Sequence, residues 1–324
     1  MGRNFNLASA RLGLMSALVL GANAYPTSLA LAADSAAPAP PVASQGAANL
    51  NISPRRVIFE GAKRNEAVYV FNQGNAAVTV DVTLVDNVML PSGEIVPADK
   101  VSEKGAEAVA IAGKLHSAHS LILATPSRLT LPPGKGKTIR IRADIPDASA
   151  GASEYRTHLV VTSLPSADMG LTAEAAASAQ PGVLSMRIQA LFGLSIPLIV
   201  RSGGVGATAS LGSVKLDHEL LAPPEGGPAK PVPVLALSLG RAGAASVYGN
   251  IEVRAAPAKG SKVDKAGELI RLIRGIAVYP EIDRRQVRVR LNREPHPGEA
   301  LVATFFVDDG KPGNELARTS FVVP

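Results

Sequence analysis

Few residues in this chain have the type and spacing to do chemistry, and each of them also has a structural use. Gly134-Lys135-Gly136-Lys137-Thr138 ends like a loop that cradles phosphate on backbone N–H groups. That motif needs a further glycine five positions before Gly136, and residue 131 is Leu. Thr138 to Ala143 alternates like a strand where a helix should begin, so the segment reads as a turn between strands. His116 and His119 have a spacing at which both could ligate a metal from one helical face. No third ligand lies near them, and the segment reads as solvated loop. His158 shares a strand face with Glu154 and Arg156, but no Gly-x-Ser-x-Gly elbow supplies a nucleophile. A polar ladder at a sheet edge is the expectation there. Glu281 and Asp283 could act as an acid/base couple, but the adjacent Arg284 and Arg285 favour charge pairing. Arg284, Arg288 and Arg290, with Arg271 and Arg274 on an expected neighbouring strand, read as the basic stripe of a solvated sheet face. No nucleophile–base pair or metal set converges. The expectation is a protein that is not an enzyme and carries neither cofactor nor metal.

The elements that hold these residues are strands. Ile52 to Phe59, Ala67 to Phe71, Val78 to Val85, Leu121 to Ala124, Ser127 to Leu131, Thr138 to Ala143 and Tyr155 to Thr162 are strand-like. They are bounded by turns such as Asn72-Gln73-Gly74-Asn75 and Pro132-Pro133-Gly134. Pro165 to Gly182 reads as an Ala-rich loop with a helical turn near Thr172 to Ser178. The longest signal follows it. From Leu184 to Val200 every second residue (Leu184, Met186, Ile188, Ala190, Phe192, Leu194, Ile196, Leu198, Val200) is apolar. Alternate side chains of an extended chain point to opposite faces, so one face of this strand is continuously apolar. At about 3.3 Å per residue it would extend about 55 Å, several times an ordinary strand of about 5–6 residues. Such length suggests that part of the face serves something other than the chain's own core. After Arg201-Ser202-Gly203-Gly204 seven more strands are expected, at Ser213 to Leu216, Val232 to Leu239, Ser246 to Val253, Leu269 to Val278, Gln286 to Leu291, Ala300 to Phe306 and Thr319 to Val323. Many short strands without comparable helical patterns predict antiparallel sandwiches.

Composition agrees. Of 324 residues 46% are hydrophobic, with 30 Gly and 25 Pro, as suits strands joined by turns. Aromatics make up only 4%, so the cores must be aliphatic. The absence of Cys removes disulfides, thiolate metal sites and cysteine nucleophiles. Arg3 and Arg11 lead into the apolar run Leu12 to Leu20, followed by Ala30-Leu31-Ala32-Ala33-Asp34, the pattern of a secretory signal peptide. Cleavage after Ala32 or Ala33 fits best, with Ala24 the alternative. The apolar run is too short to span a bilayer, which takes about 20 residues. No Cys follows to carry a lipid. The expected organisation is a signal peptide (1–33), an Ala/Pro-rich linker (34–49) and two sandwich domains (50–203 and 204–324). Loss of Arg3 and Arg11 with the signal lowers the formal net charge from +6 to +4. That modest excess favours a carboxylate-bearing partner and gives no reason to invoke nucleic acid.

The order of motifs resembles the PapD-like periplasmic chaperones of fimbrial (pilus) assembly. Arg56-Val57-Ile58-Phe59 is similar to the family's opening strand, and Asn72 to its characteristic Asn. Ala124-Thr125-Pro126-Ser127-Arg128-Leu129-Thr130-Leu131-Pro132-Pro133-Gly134, followed by Ile139-Arg140-Ile141, is similar to its Thr-Pro…Leu-x-Pro-Gly segment. A strand ending in Leu164-Pro165, a variable loop and the long alternating strand complete the order. The resemblance covers Asn51 to Arg201. It implies two immunoglobulin-like sandwiches in a boomerang arrangement, an all-β fold. It also implies donor-strand complementation without ATP, in which the last strand of the first domain lends alternate side chains to a subunit that lacks a strand. On that reading Leu184, Met186, Ile188, Ala190 and Phe192 enter the subunit, while Leu194, Ile196 and Leu198 complete the chaperone's own core. The implied partners are pilus or surface-fibre subunits and an outer-membrane usher, met in the periplasm. The family anchors the subunit's terminal carboxylate with an Arg, here Arg56, and a Lys whose place falls on Pro197; Arg201 is the nearby substitute. The run Glu154-Tyr155-Arg156-Thr157-His158-Leu159 departs from the family pattern, which marks a divergent branch. The alternative is an exported immunoglobulin-like scaffold or adhesion protein without a chaperone cycle.

Overall fold

The computed structural model describes residues 49–147, 149, 151–164, 191–257, 267–308 and 313–324. The signal peptide, the linker, the helical turn expected near Thr172 to Ser178, and Leu184, Met186, Ile188 and Ala190 lie outside the described residues. The first half of the chain contains β1 (Leu50–Ser53), β2 (Val57–Glu60), β3 (Asn65–Asn72), β4 (Val78–Val85), β5 (Asn87–Met89), β6 (Ile95–Pro97), the helix α1 (Ala106–Ala112), β7 (Ile122–Thr125), β8 (Arg128–Leu131), β9 (Gly136–Ala143), β10 (Ser153–Ser163) and β11 (Gly193–Ser202). Two sheets of order β1-β3-β9-β7 and β2-β11-β10-β4-β8 face each other across a core of aliphatic residues and Phe59.

Two prolines route the chain between these sheets. The single strand expected at Ile52 to Phe59 is two strands: β1 pairs with β3 in one sheet, and β2 pairs with β11 in the other. Pro54, which lacks an N–H for the ladder, marks the crossing. Pro126 does the same between β7, bonded to β9, and β8, bonded to β4. Asn72 ties the turns at one end of the sandwich together. Fully buried, its Nδ2 donates to the carbonyls of Ala76 (2.8 Å) and Leu131 (3.1 Å), and its Oδ1 accepts the Gly74 N–H (2.9 Å).

The link from β4 to β7 is larger than the sequence pattern suggests. It holds the hairpin β5–β6, a 3-10 turn at Ala98–Lys104 and the helix α1. Its apolar residues Val88, Met89, Val96, Val101, Ala108 and Ile111 join the core of the second sandwich rather than the first.

That second sandwich contains β12 (Ala207–Leu221), β13 (Lys230–Gly243), β14 (Val247–Ala255), β15 (Leu269–Val278), β16 (Arg284–Arg290), β17 (Ala300–Val307) and β18 (Glu315–Val322). Its sheets have the orders β12-β13-β16 and β15-β14-β17-β18. Each of the seven expected strands is present. The expected basic stripe is not continuous, because β15, with Arg271 and Arg274, belongs to the opposite sheet from β16. Arg288 and Arg290 are instead paired with Glu219 of β12, Arg290 at 3.0 Å. Among the described residues, no helix is long and apolar enough to cross a membrane.

Candidate functional site

The alternation that makes the long strand conspicuous is divided within β11. Ile196, Leu198 and Val200 are buried in the first core, and Leu194 is half-buried against it. Phe192, next on the same face, is 40% exposed, and Leu191 is 56% exposed. The change occurs where the fold runs out of partners for the strand. On one side β11 pairs with β10 along its whole length, in a register from Thr162↔Gly193 to Ser153↔Ser202. On the other side β2 covers only Leu198 to Arg201, in parallel. Among the described residues no strand pairs with that side of Gly193 to Pro197.

The register shows which backbone groups this open edge carries. Ser163 N–H donates to the Phe192 carbonyl (2.8 Å), and Phe192 N–H donates to Ser163 Oγ (2.8 Å), so residue 192 turns towards β10. Successive residues of a strand turn to opposite sides. Gly193 and Ser195 therefore present N–H and C=O groups to the open side, whereas Pro197 has no N–H and its carbonyl faces the N–H of Val57 in β2. Pro197 costs β11 no bond to β10, which is how a proline is tolerated here.

Arg56 stands at the end of this edge. Val57 is level with Leu198, so Arg56, one residue earlier, is level with Pro197. Its Nη2 donates to Ser246 Oγ (2.9 Å), and its guanidinium lies 4.7 Å from the centre of the Tyr248 ring. Residues of the second sandwich thus hold it in place. Arg201, the other residue read as an anchor, donates from Nε to Glu154 Oε2 (3.0 Å) and lies 3.6 Å from Glu60. The same Glu154 oxygen accepts the Ser246 N–H (3.1 Å). One hydrogen-bonded chain therefore links Arg56, Ser246, Glu154 and Arg201.

Arg156, Thr157 and His158 of β10 are buried, and the expected sheet-edge ladder is corrected: β10 lies between β11 and β4. Arg156, 1% exposed, forms a two-pronged pair with Glu281, Nη1 to Oε2 at 2.9 Å and Nη2 to Oε1 at 2.6 Å. It also donates to the Asn87 carbonyl (2.8 Å) and lies 3.8 Å from the centre of the Tyr279 ring. Met89 N–H completes the site by donating to Glu281 Oε1 (2.8 Å). The carboxylate expected to pair with its sequence neighbours Arg284 and Arg285 thus pairs with an arginine of the other sandwich. Asp283 lies 3.4 Å from Arg241. Sequence reasoning missed Arg241. It donates to the carbonyls of Pro280 and Ile282 in one loop and of Gly243 and Ala245 in another, the loops that carry Glu281 and Ser246.

The remaining candidates have structural uses. His116 Nδ1 lies 2.7 Å from Ser153 Oγ, its ring packs near Tyr155, and its carbonyl accepts the Arg156 N–H. His119 is exposed at the start of a 3-10 turn. Gly136 opens β9 where a Cβ would strike the Tyr69 ring, so the glycine is required by close packing. His158 is 4% exposed and its pKa is lowered to about 3, first by burial and then by the charge of Arg156.

No protein-family model matches the chain, and no curated protein matches its sequence. Solved structures to which the chain is similar include pilus chaperones, the family that its motifs resemble. One is the E. coli chaperone DraB, at 12% identity and TM-score 0.39, covering 86% of this chain and 96% of that one. Another is the CsuC–CsuE chaperone–tip adhesion subunit pre-assembly complex from Acinetobacter baumannii, at 14% identity and TM-score 0.38, covering 85% and 98%. A third is the Salmonella enterica SafA pilin in complex with the SafB chaperone, at 14% identity and TM-score 0.37, covering 85% and 97%.

Proposed function

We propose that this chain is a periplasmic chaperone that captures incompletely folded subunits of a fimbria or surface fibre by lending them a strand, without ATP. The observation that carries this reading is the open edge of β11 from Gly193 to Pro197, with Phe192 exposed beyond the core on the same face as Ile196, Leu198 and Val200. A subunit that lacks a strand exposes unpaired backbone groups and an apolar groove, a liability for aggregation. An edge with free backbone groups and alternate apolar side chains satisfies both needs at once. Leu184, Met186, Ile188 and Ala190 extend the same alternation upstream and are proposed to enter the subunit with Phe192. Arg56, level with the end of the edge, is suited to hold the subunit's terminal carboxylate through charge-assisted hydrogen bonds. Arg201, already bonded to Glu154, supports that site from behind. The binding energy of strand addition drives capture, and an outer-membrane usher is the proposed acceptor of the complex.

Co-expression with candidate fibre subunits in the periplasm, followed by co-purification, tests the reading. Ile188→Asp and Phe192→Asp are expected to leave the chaperone folded and to lose the subunit, and Arg56→Ala to abolish capture. Unchanged capture by the two aspartate variants overturns donor-strand binding and favours the scaffold or adhesion alternative. Unchanged capture by Arg56→Ala removes the carboxylate anchor alone.

A further inference from the structure

We infer that the link between β4 and β7 is a strut: it fills the open side of the second sandwich and thereby sets the angle between the two sandwiches. The strut stands whether or not β11 lends a strand. The covalent connection cannot set that angle. It runs from β11 to β12 through Ser202-Gly203-Gly204-Val205-Gly206, and glycines leave the backbone many conformations of similar energy. Domains joined by such a connection move relative to each other unless a sizeable apolar interface prevents it.

Both ends of the link are seated on one residue of the first sandwich. The Arg156 side chain donates to the Asn87 carbonyl at the start of the link (2.8 Å). At the far end the Arg156 N–H donates to the His116 carbonyl (2.8 Å), and the Arg156 carbonyl accepts the Ala118 N–H (3.1 Å). Between these points Val88, Met89, Val96, Val101, Ala108 and Ile111 are buried in the second core. They enter it on the side where one sheet ends at β15 and the other at β16. There the Pro91 carbonyl accepts the Gln286 N–H of β16 (2.7 Å). Arg285 of β16 donates from Nη1 to the Ala277 carbonyl of β15 (2.9 Å), which ties the two edges together. Its guanidinium also lies against Gly93 in the β5–β6 turn, so close that a Cβ there would strike it. A segment pinned at both ends to one sandwich and packed in the core of the other resists rotation, because turning either sandwich would open voids in close packing.

The chain has no Cys, so two introduced ones can carry spin labels without competition. Thr83 of β4 and Ser320 of β18 are exposed, one in each sandwich, and Thr83→Cys with Ser320→Cys places the labels. Pulsed electron spin resonance of the full chain is expected to give one narrow distance distribution. Adding Val101→Ala with Ile111→Ala, which removes packing of the link, is expected to widen it at least ~2-fold. Leu129→Ala, a loss of the same kind in the first core, is expected to leave the width unchanged. Amide exchange gives a second reading: β15 and β16 should exchange at least ~10-fold faster in the link variant, with β3 and β9 unchanged. Thermal unfolding verifies that each variant folds. If the double variant does not fold, Gly93→Ala takes its place, with the same widening expected. A broad distribution without the link substitutions, or an unchanged width in a folded link variant, overturns the strut. Faster exchange confined to β4 and β7 would assign the link to the first sandwich and overturns it as well.

Discussion

His158 sits 4% exposed on β10, opposite Pro197 on one neighbour and Val85 on the other, with the charge of Arg156 beside it. Burial and that charge lower its pKa from 6.5 to about 3, so the folded protein keeps the ring neutral where an unfolded chain would protonate it. As pH falls below about 6.5 the unfolded state takes up a proton that the folded state refuses. This one residue then costs stability at about 1.4 kcal/mol per pH unit until the folded pKa is reached. Urea unfolding at pH 7.5, 6.5, 6.0 and 5.0, above the range of most carboxylates, is expected to show that slope in the wild-type protein and a flatter one in His158→Leu. Equal slopes would show that His158 is solvated. Such a role is not legible in sequence. Glu154, Arg156 and His158 alternate as a solvated ladder would, and only the placement of β10 between β11 and β4 makes them buried.

At the scale of elements, strands and their turns were legible because a two-residue alternation survives in the sequence wherever one face is buried and the other is not. Val78–Val85 and Leu269–Val278 have the expected bounds, and the turn after β8 is where Pro132-Pro133-Gly134 indicates. The helix α1 was not legible: seven residues between Gly105 and Gly113, rich in Ala, give too short a window for a helical period. Neither was the partner of Glu281, because arginines at 284 and 285 are adjacent in sequence whereas Arg156 is 125 positions away. The pair joins β10 to the loop before β16 and to the β5–β6 hairpin through Asn87 and Met89. Removing one member leaves the other charge buried and uncompensated. Glu281→Gln and Arg156→Met are each expected to cost about 3–5 kcal/mol in urea unfolding, with the double variant costing well short of their sum. Additive losses would mean that the two residues do not depend on each other.

At the scale of the molecule, the apolar cluster of the second sandwich takes in Ile199 of β11 and the buried residues of the β4–β7 link. The two sandwiches are therefore joined by shared packing as well as by Arg156–Glu281 and Arg56–Ser246. Packing of this kind couples unfolding. A single calorimetric transition is expected for the described body, with calorimetric and van't Hoff enthalpies in agreement. Two resolved transitions would show that the sandwiches unfold independently. The resemblance in sequence reached as far as Arg201 and pointed to the open strand and to Arg56. Within that span it supplied no motif for the link, whose apolar residues have no recognisable period and acquire a partner only in three dimensions.

The division of β11 also bears on how such a protein can change over generations. Substitutions at Ile196, Leu198 or Val200 must be tolerated by a packed core, whereas Leu191 and Phe192 touch little of it. On the donor-strand reading proposed above, side chains on the lending stretch can thus drift with whatever they bind at small cost to the scaffold. New binding preferences are accessible by single substitutions there, and the dependable half of the strand holds the fold in place while the other half is free to explore.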